Sequence, residues 1–226
     1  MVLADGERIE ELGIDDLKIL QSDKLYKFTS DSVLLSKFAS SKKNDKVADF
    51  CSGCGIVGMH YYALHQDLNS VTFFEIQKEL CDLNKKSIEI NGLSGKMTAV
   101  NCRLQDIGKE YDGKFTLILC NPPYKKLNSG EKPPEGHIAM CRHEITVTQE
   151  EIISIAAKKL AYGGRFCMCQ RTERFVDAVC TMRENKLNPV KIQFVSAGKD
   201  DKIYLFLIEA VKQVSPQIKI LPTIKN

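Results

Sequence analysis

A turn made of Asn121, Pro122, Pro123 and Tyr124 offers many more hydrogen-bond acceptors than donors. The two prolines fix φ and carry no backbone N–H, so what remains is a set of carbonyls and the Asn121 amide oxygen. Such a turn suits a planar –NH2 group. Tyr124 adds an aromatic face on which a flat base or an amide can stack. On these four residues alone, the alternative description is a surface turn after a core strand.

A second constellation lies upstream. Cys51-Ser52-Gly53-Cys54-Gly55 is a tight run of small residues after Val47-Ala48-Asp49-Phe50, and Glu75 ends the next apolar run, 26 residues after Asp49 (75 − 49). Glycines in a strand-to-helix turn let backbone N–H groups approach a ligand closely, and a carboxylate at the end of the following strand can take both hydroxyls of a ribose. Gly53-Cys54-Gly55-Ile56-Val57-Gly58 also fits the dinucleotide fingerprint. Asp49 weighs against that option, because an anion before the turn repels a pyrophosphate and suits a sulfonium or ammonium group. Cys51 and Cys54 have redox or zinc spacing but lie inside the turn without a second clear ligand pair, so no metal is expected. Cys141 and His143, close on one loop, read as structural rather than as a nucleophile and its base.

The elements that position these residues follow from periodicity. Strands are predicted over Val47–Phe50, Val71–Glu75, Met97–Cys102, Lys114–Cys120 and Arg165–Gln170. Helices are predicted over Ser32–Ala39, Ile56 to about His65, Gln77–Ile90, about Glu150–Leu160 and Glu173 to about Asn185, with Thr29-Ser30-Asp31 and Thr172 as N-cap candidates and Asn91-Gly92 and Gly163-Gly164 as stops. Val190–Val195 and Ile203–Val211 are too close for a helix between them and form a hairpin. This pattern predicts an α/β fold: a Rossmann-like, seven-stranded, mostly parallel sheet with helices on both faces and an antiparallel C-terminal hairpin strand. Glu7 to Leu20 shows no clear period and is read as a flexible or packed-on arm, and Lys24–Phe28 alternates like a short strand. Residues 1–45 are thus expected to be an arm and cap helix packed on one domain spanning 46–226.

The chain of 226 residues is 43% apolar and 27% charged, an ordinary composition for a soluble globular protein. No apolar run approaches a membrane span, and Met1–Glu11 is too charged for a signal peptide, so a cytoplasmic monomer is expected. Nine cysteines, an odd number with several inside apolar runs, read as reduced, buried thiols. A net charge of +3 permits a nucleic-acid partner without demanding one.

Taken together, Asp49–Gly55, Glu75, Asp106 and Asn121–Tyr124 resemble the motifs of the class I S-adenosylmethionine-dependent methyltransferases, with Cys51 where that family most often has glycine. Ile14–Gln21, Asp31–Ser36, Arg142-His143-Glu144 and Arg171–Arg174 extend the resemblance over nearly the whole chain to the bacterial enzymes that N6-methylate adenine 37 of tRNA(Val). The resemblance implies S-adenosyl-L-methionine as cofactor, held by Asp31, Asp49, Cys51, Gly53, Gly55, Glu75, Ile76, Asp106 and Asn121. It implies transfer at Asn121, Pro122, Pro123 and Tyr124, and tRNA contacts from Tyr124, Lys125, Lys126, Lys132, Arg142 and His143. Asn-Pro-Pro-Tyr is shared with protein-glutamine methyltransferases, and an inactive RNA-binding module is a further alternative. The expected chemistry is attack by an amine on an activated methyl, the amine being shaped by the acceptors of the turn.

Overall fold

Alternation of apolar residues along each central strand splits the core in two. Val47, Leu117, Leu119, Cys167, Cys169, Leu205 and Leu207 face one side, while Ala48, Ile118, Cys120, Phe166, Met168, Phe206 and Ile208 face the other. A sheet buried on both faces needs helices on both. The computed structural model describes residues 3–25, 28–124, 147–198, 200–214 and 217–226.

The strands are β1 (Glu7–Glu11), β2 (Lys18–Ser22), β3 (Lys46–Phe50), β4 (Ser70–Glu75), β5 (Met97–Asn101), β6 (Phe115–Cys120), β7 (Leu160–Arg171), β8 (Leu187–Ala197), β9 (Lys202–Lys212), β10 (Lys219–Ile220) and β11 (Ile224–Lys225). The helices are α1 (Ser30–Phe38), α2 (Ile56–Leu64), α3 (Lys78–Ile90), α4 (Gln149–Lys159) and α5 (Phe175–Glu184). The main sheet runs β5-β4-β3-β6-β7-β9-β8 and is Rossmann-like. Strands β5 to β7 pair in parallel, and β9 lies antiparallel between β7 and β8. Leu35 of α1, Val57 of α2 and Ile88 of α3 pack on one face, whereas Ile152 and Ile153 of α4 and Met182 of α5 pack on the other.

Four details depart from expectation. The sheet has two strands beyond the predicted seven, because two-residue segments, β10 and β11, pair along the free edge of β8. Strands this short carry no period. Residues 7–22 form an antiparallel hairpin, with Leu20 donating its N–H to Ser87 Oγ and packing with Leu80 and Leu83 of α3. Its strands, Glu7–Glu11 with one apolar residue and Lys18–Ser22 with two adjacent ones, lack the alternation that a sequence reading needs. Gly163-Gly164 lies within β7, where Phe115 pairs with Leu160 but Leu117 pairs with Arg165, so the glycines form a bulge and Lys159 already ends α4. Finally, Thr172 makes no side-chain cap; Thr172–Arg174 is a 3-10 turn leading into α5. Of the stretch Lys24–Phe28, residues 26 and 27 lie outside the described residues, and Lys24 belongs to a turn.

Asn91-Gly92 stops α3 as expected, with Gly92 at φ +65° and the Leu93 N–H bonded to the Ile88 carbonyl. A capping box between Thr148 and Glu151 starts α4.

Candidate active site

In a parallel sheet the C-terminal strand ends gather on one edge, and the loops leaving them enclose a cavity of about 950 Å³. Its floor and walls come from the turn after β3, the end of β4, the 3-10 turn after β5, the Asn121–Tyr124 turn after β6, the end of β7, the start of β9 and the first turn of α1.

The turn after β3 winds through left-handed backbone at Cys51 (φ +55°), Gly53 (φ +56°) and Gly55 (φ +89°). A Cβ at Gly55 would stand 2.6 Å from Asn84 Oδ1, so glycine is required there on two counts. The turn is held from β4: Glu75 Oε2 accepts the Gly53 N–H at 2.8 Å, and Oε1 accepts the Gln77 N–H at 2.8 Å. Burial raises the Glu75 carboxyl above its usual range, partly offset by these backbone donors. Glu75 lines the cavity, and a carboxylate there can accept from the hydroxyls of a sugar. Ile76 also lines the cavity, and its carbonyl is tied to the Asn101 side chain at 2.9 Å.

Asp49 lies beneath the turn rather than on the cavity wall. Its Oδ2 accepts the Gly58 N–H at 2.8 Å, whereas Oδ1 has no hydrogen-bond partner among the described residues. Burial, and secondarily the Glu75 charge, pushes this carboxyl up to about 8. Asp106 is exposed on the 3-10 turn, and Cys102 to Gln105 form the wall beside it. Gly55 is likewise set back from the cavity, with Gly53, Cys54 and Ile56 in front.

At the other end, Asn121, Pro122, Pro123 and Tyr124 all line the cavity. Asn121 donates from Nδ2 to Ser32 Oγ at 2.8 Å. Its Oδ1 accepts from the Tyr124 hydroxyl at 2.6 Å and from the Cys169 thiol at 3.1 Å. Burial raises the Cys169 thiol to about 12 and lifts the Tyr124 hydroxyl, so both remain protonated donors at neutral pH. Asp31 does not act as a helix cap. Its carboxylate accepts from Tyr124 at 3.1 Å and from Tyr204 at 3.1 Å. The Arg171 guanidinium lies between these rings, 4.8 Å from the Tyr124 centroid and 5.0 Å from that of Tyr204.

The structure therefore brings together Asp31, Cys51, Gly53, Glu75, Ile76 and Asn121–Tyr124. Lys125, Lys126, Lys132, Arg142 and His143 lie outside the described residues. Cys169 and Tyr204 were not singled out from sequence, and Ser32 and Arg171 entered only as members of the Asp31–Ser36 and Arg171–Arg174 motifs, with no role assigned. Cys169 could have been found from strand pairing, since Cys120 of β6 faces Met168 of β7 and the next residues are neighbours. Tyr204 reaches the same edge because β9 runs antiparallel, with Arg171 opposite Leu205. Among the described residues, no cluster of three or more His, Cys, Asp or Glu side chains could hold a metal, and no helix is long and apolar enough to cross a membrane.

Comparison with known proteins gives this geometry a context. The tRNA1(Val) (adenine(37)-N6)-methyltransferase of Flavobacteriaceae bacterium strain 3519-10 is 26% identical over 169 residues, covering 75% of this chain and 70% of the relative. A release factor glutamine methyltransferase of Leptospira interrogans is 28% identical over 143 residues, covering 60% of this chain and 49% of the relative. The solved structure of Pyrococcus horikoshii TYW2 in complex with MeSAdo has a TM-score of 0.65 at 13% identity, covering 93% of this chain and 73% of that one. S-adenosylmethionine is the cofactor, and the site fits it: the Glu75 carboxylate, the Gly53 turn and the Asn121 turn share one cavity. Residues 27–188 match the methyltransferase small domain family, and the chain belongs to that family.

Proposed function

We propose that this protein transfers a methyl group from S-adenosylmethionine to the exocyclic N6 of an adenine in tRNA, with adenine 37 of tRNA(Val) as the target. The observation that carries this reading is the Asn121–Tyr124 turn at the cavity wall, an amide oxygen and a proline carbonyl beside an aromatic ring. Support for RNA as the carrier of the amine comes from the relative named for tRNA1(Val) and its coverage of three quarters of this chain.

S-adenosylmethionine, when bound, supplies an electron-poor methyl group. The residues of this chain prepare the amine. The lone pair of adenine N6 is delocalised into the ring and is a poor nucleophile. Accepting its two N–H groups on Asn121 Oδ1 and the Pro122 carbonyl draws the nitrogen toward tetrahedral geometry and frees the lone pair. Positive charge developing on nitrogen then meets two fixed acceptor dipoles, the oxyanion-hole argument with its sign reversed. Orientation supplies the rest, and the methylated nitrogen, cationic and strongly acidic, gives its proton to solvent after transfer, so no dedicated base is needed. The adenine must leave its stack to reach the turn, and Tyr124 gives it a surface to stack on.

Glutamine N5-methylation is the competing reading, since one relative carries that name. This chain covers 70% of the relative named for tRNA1(Val) and 49% of the glutamine-methylating one, which favours the adenine reading. A cofactor contact at Asp106, support of the cofactor turn from behind by Asp49 and Gly55, and RNA contacts at Lys125, Lys126, Lys132, Arg142 and His143 belong to the same proposal, as does action by a cytoplasmic monomer. Incubation with methyl-labelled cofactor and tRNA lacking this modification, followed by nucleoside analysis, should yield labelled N6-methyladenosine. Label on a protein glutamine, with none in tRNA, would overturn the assignment.

A further inference from the structure

The acceptor turn is wired to α1 through two adjacent side chains. Asn121 Nδ2 donates to Ser32 Oγ, and the Tyr124 hydroxyl reaches Asp31 Oδ2. Ser32 is 3% exposed and Asp31 5%, and neither caps the helix they begin. Buried polar side chains at a helix start are ordinarily spent on its free N–H groups. Here they are spent on the turn.

Counting hydrogens makes the arrangement specific. The Asn121 amide oxygen has two lone pairs. The Cys169 thiol takes one and the Tyr124 hydroxyl the other. Tyr124 has one hydroxyl hydrogen and two oxygen acceptors within reach, Asn121 Oδ1 at 2.6 Å and Asp31 Oδ2 at 3.1 Å, with the Cys169 sulfur a weak third at 3.6 Å. An incoming amine therefore meets an acceptor already in use, and gains it when the Tyr124 hydrogen turns to the carboxylate. A charged acceptor is about twice as strong as a neutral one, which makes that exchange inexpensive. The Tyr204 hydroxyl holds the other carboxylate oxygen at 3.1 Å and so keeps Oδ2 facing Tyr124. Ser32 acts on the amide itself. If the amide turned through half a rotation, it would present its NH2 to the NH2 of the substrate, donor against donor.

We propose that Ser32 and Asp31 are positioning residues of the transfer step: Ser32 fixes the sense of the Asn121 amide, and Asp31 takes the Tyr124 hydroxyl hydrogen so that the amide oxygen is released to the substrate amine. This moves Asp31 from the cofactor to the acceptor turn. It rests on the reading that this turn binds an amine, and holds for adenine or glutamine alike.

The test uses the full chain carrying Ser32→Ala, Ser32→Thr, Asp31→Asn, Tyr124→Phe, or Asp31→Asn combined with Tyr124→Phe. Affinity for S-adenosylhomocysteine is measured by calorimetry and kcat at saturation. Transfer is scored on whichever substrate the parent methylates, unmodified tRNA or a release-factor glutamine peptide. A wrong substrate assignment then appears in the parent and is separate from the result here. Ser32→Ala should lower kcat about tenfold, the worth of one hydrogen bond, and Ser32→Thr should restore most of it. Asp31→Asn should lower kcat by a similar factor, yet add nothing in the Tyr124→Phe background, where no hydroxyl competes for the amide. Cofactor affinity should stay within about twofold throughout, since no cofactor contact is removed. The inference is overturned if Asp31→Asn weakens S-adenosylhomocysteine about tenfold while kcat is kept, or if its kcat effect persists in full alongside Tyr124→Phe.

Discussion

Asp49 is fully buried behind the glycine turn. Its place before the glycine turn marks it as an anion suited to a cationic ligand, but fully buried, with one oxygen bonded to Gly58 and the other unpartnered, it holds its proton up to about 8. The native state therefore keeps a proton that the unfolded chain releases from roughly pH 4 upward. A native pKa above the unfolded one means that this group withdraws stability as pH rises from roughly 4 to 8. Asp49→Asn removes the titration, so its melting temperature relative to the parent should climb between pH 5 and pH 8 when both are followed by circular dichroism. A constant difference across that range would show that Asp49 is ionised throughout. Residue type was legible here; the proton was not, because it depends on α2 and β4 enclosing the side chain. Asp31 repeats the lesson, since as one of three polar residues before a helix it reads as a cap, whereas its carboxylate is held by Tyr124 and Tyr204 from two other elements.

The glycine turn is the element on which the cofactor half depends. Gly55 combines φ +89° with an Asn84 side chain 2.6 Å from any added Cβ, and Asn84 is fully buried on α3 and cannot swing away. Gly55→Ala should therefore cost about 2 kcal/mol or more in urea unfolding, and should weaken cofactor binding by displacing the Gly53 N–H from Glu75. An alanine variant with parent stability would mean that α3 can yield. The β/α units around this turn were legible because each buries a continuous apolar run between helices. The hairpin at residues 7–22, the bulge at Gly163-Gly164 and the two-residue strands β10 and β11 were not, since their positions are set by pairing partners distant in sequence.

For the whole molecule, the strand order divides the site between two sets of strand ends. β3 and β4 carry Gly53 and Glu75, while β6, β7 and β9, joined by α1, carry Asn121, Cys169, Tyr204 and Asp31. Sequence motifs supplied Gly53, Glu75, Asn121 and Asp31, and chain topology supplied their neighbours, which is why Cys169 and Tyr204 emerged only from the fold. Such a division predicts that acceptor chemistry and cofactor affinity separate by mutation. Asn121→Ala tests this most directly, with transfer to unmodified tRNA and equilibrium binding of S-adenosylmethionine measured on the same preparation. Turnover should fall by about a hundredfold or more, as for loss of an electrostatic acceptor, while cofactor affinity stays within about twofold. A parallel collapse of cofactor binding would contradict the account.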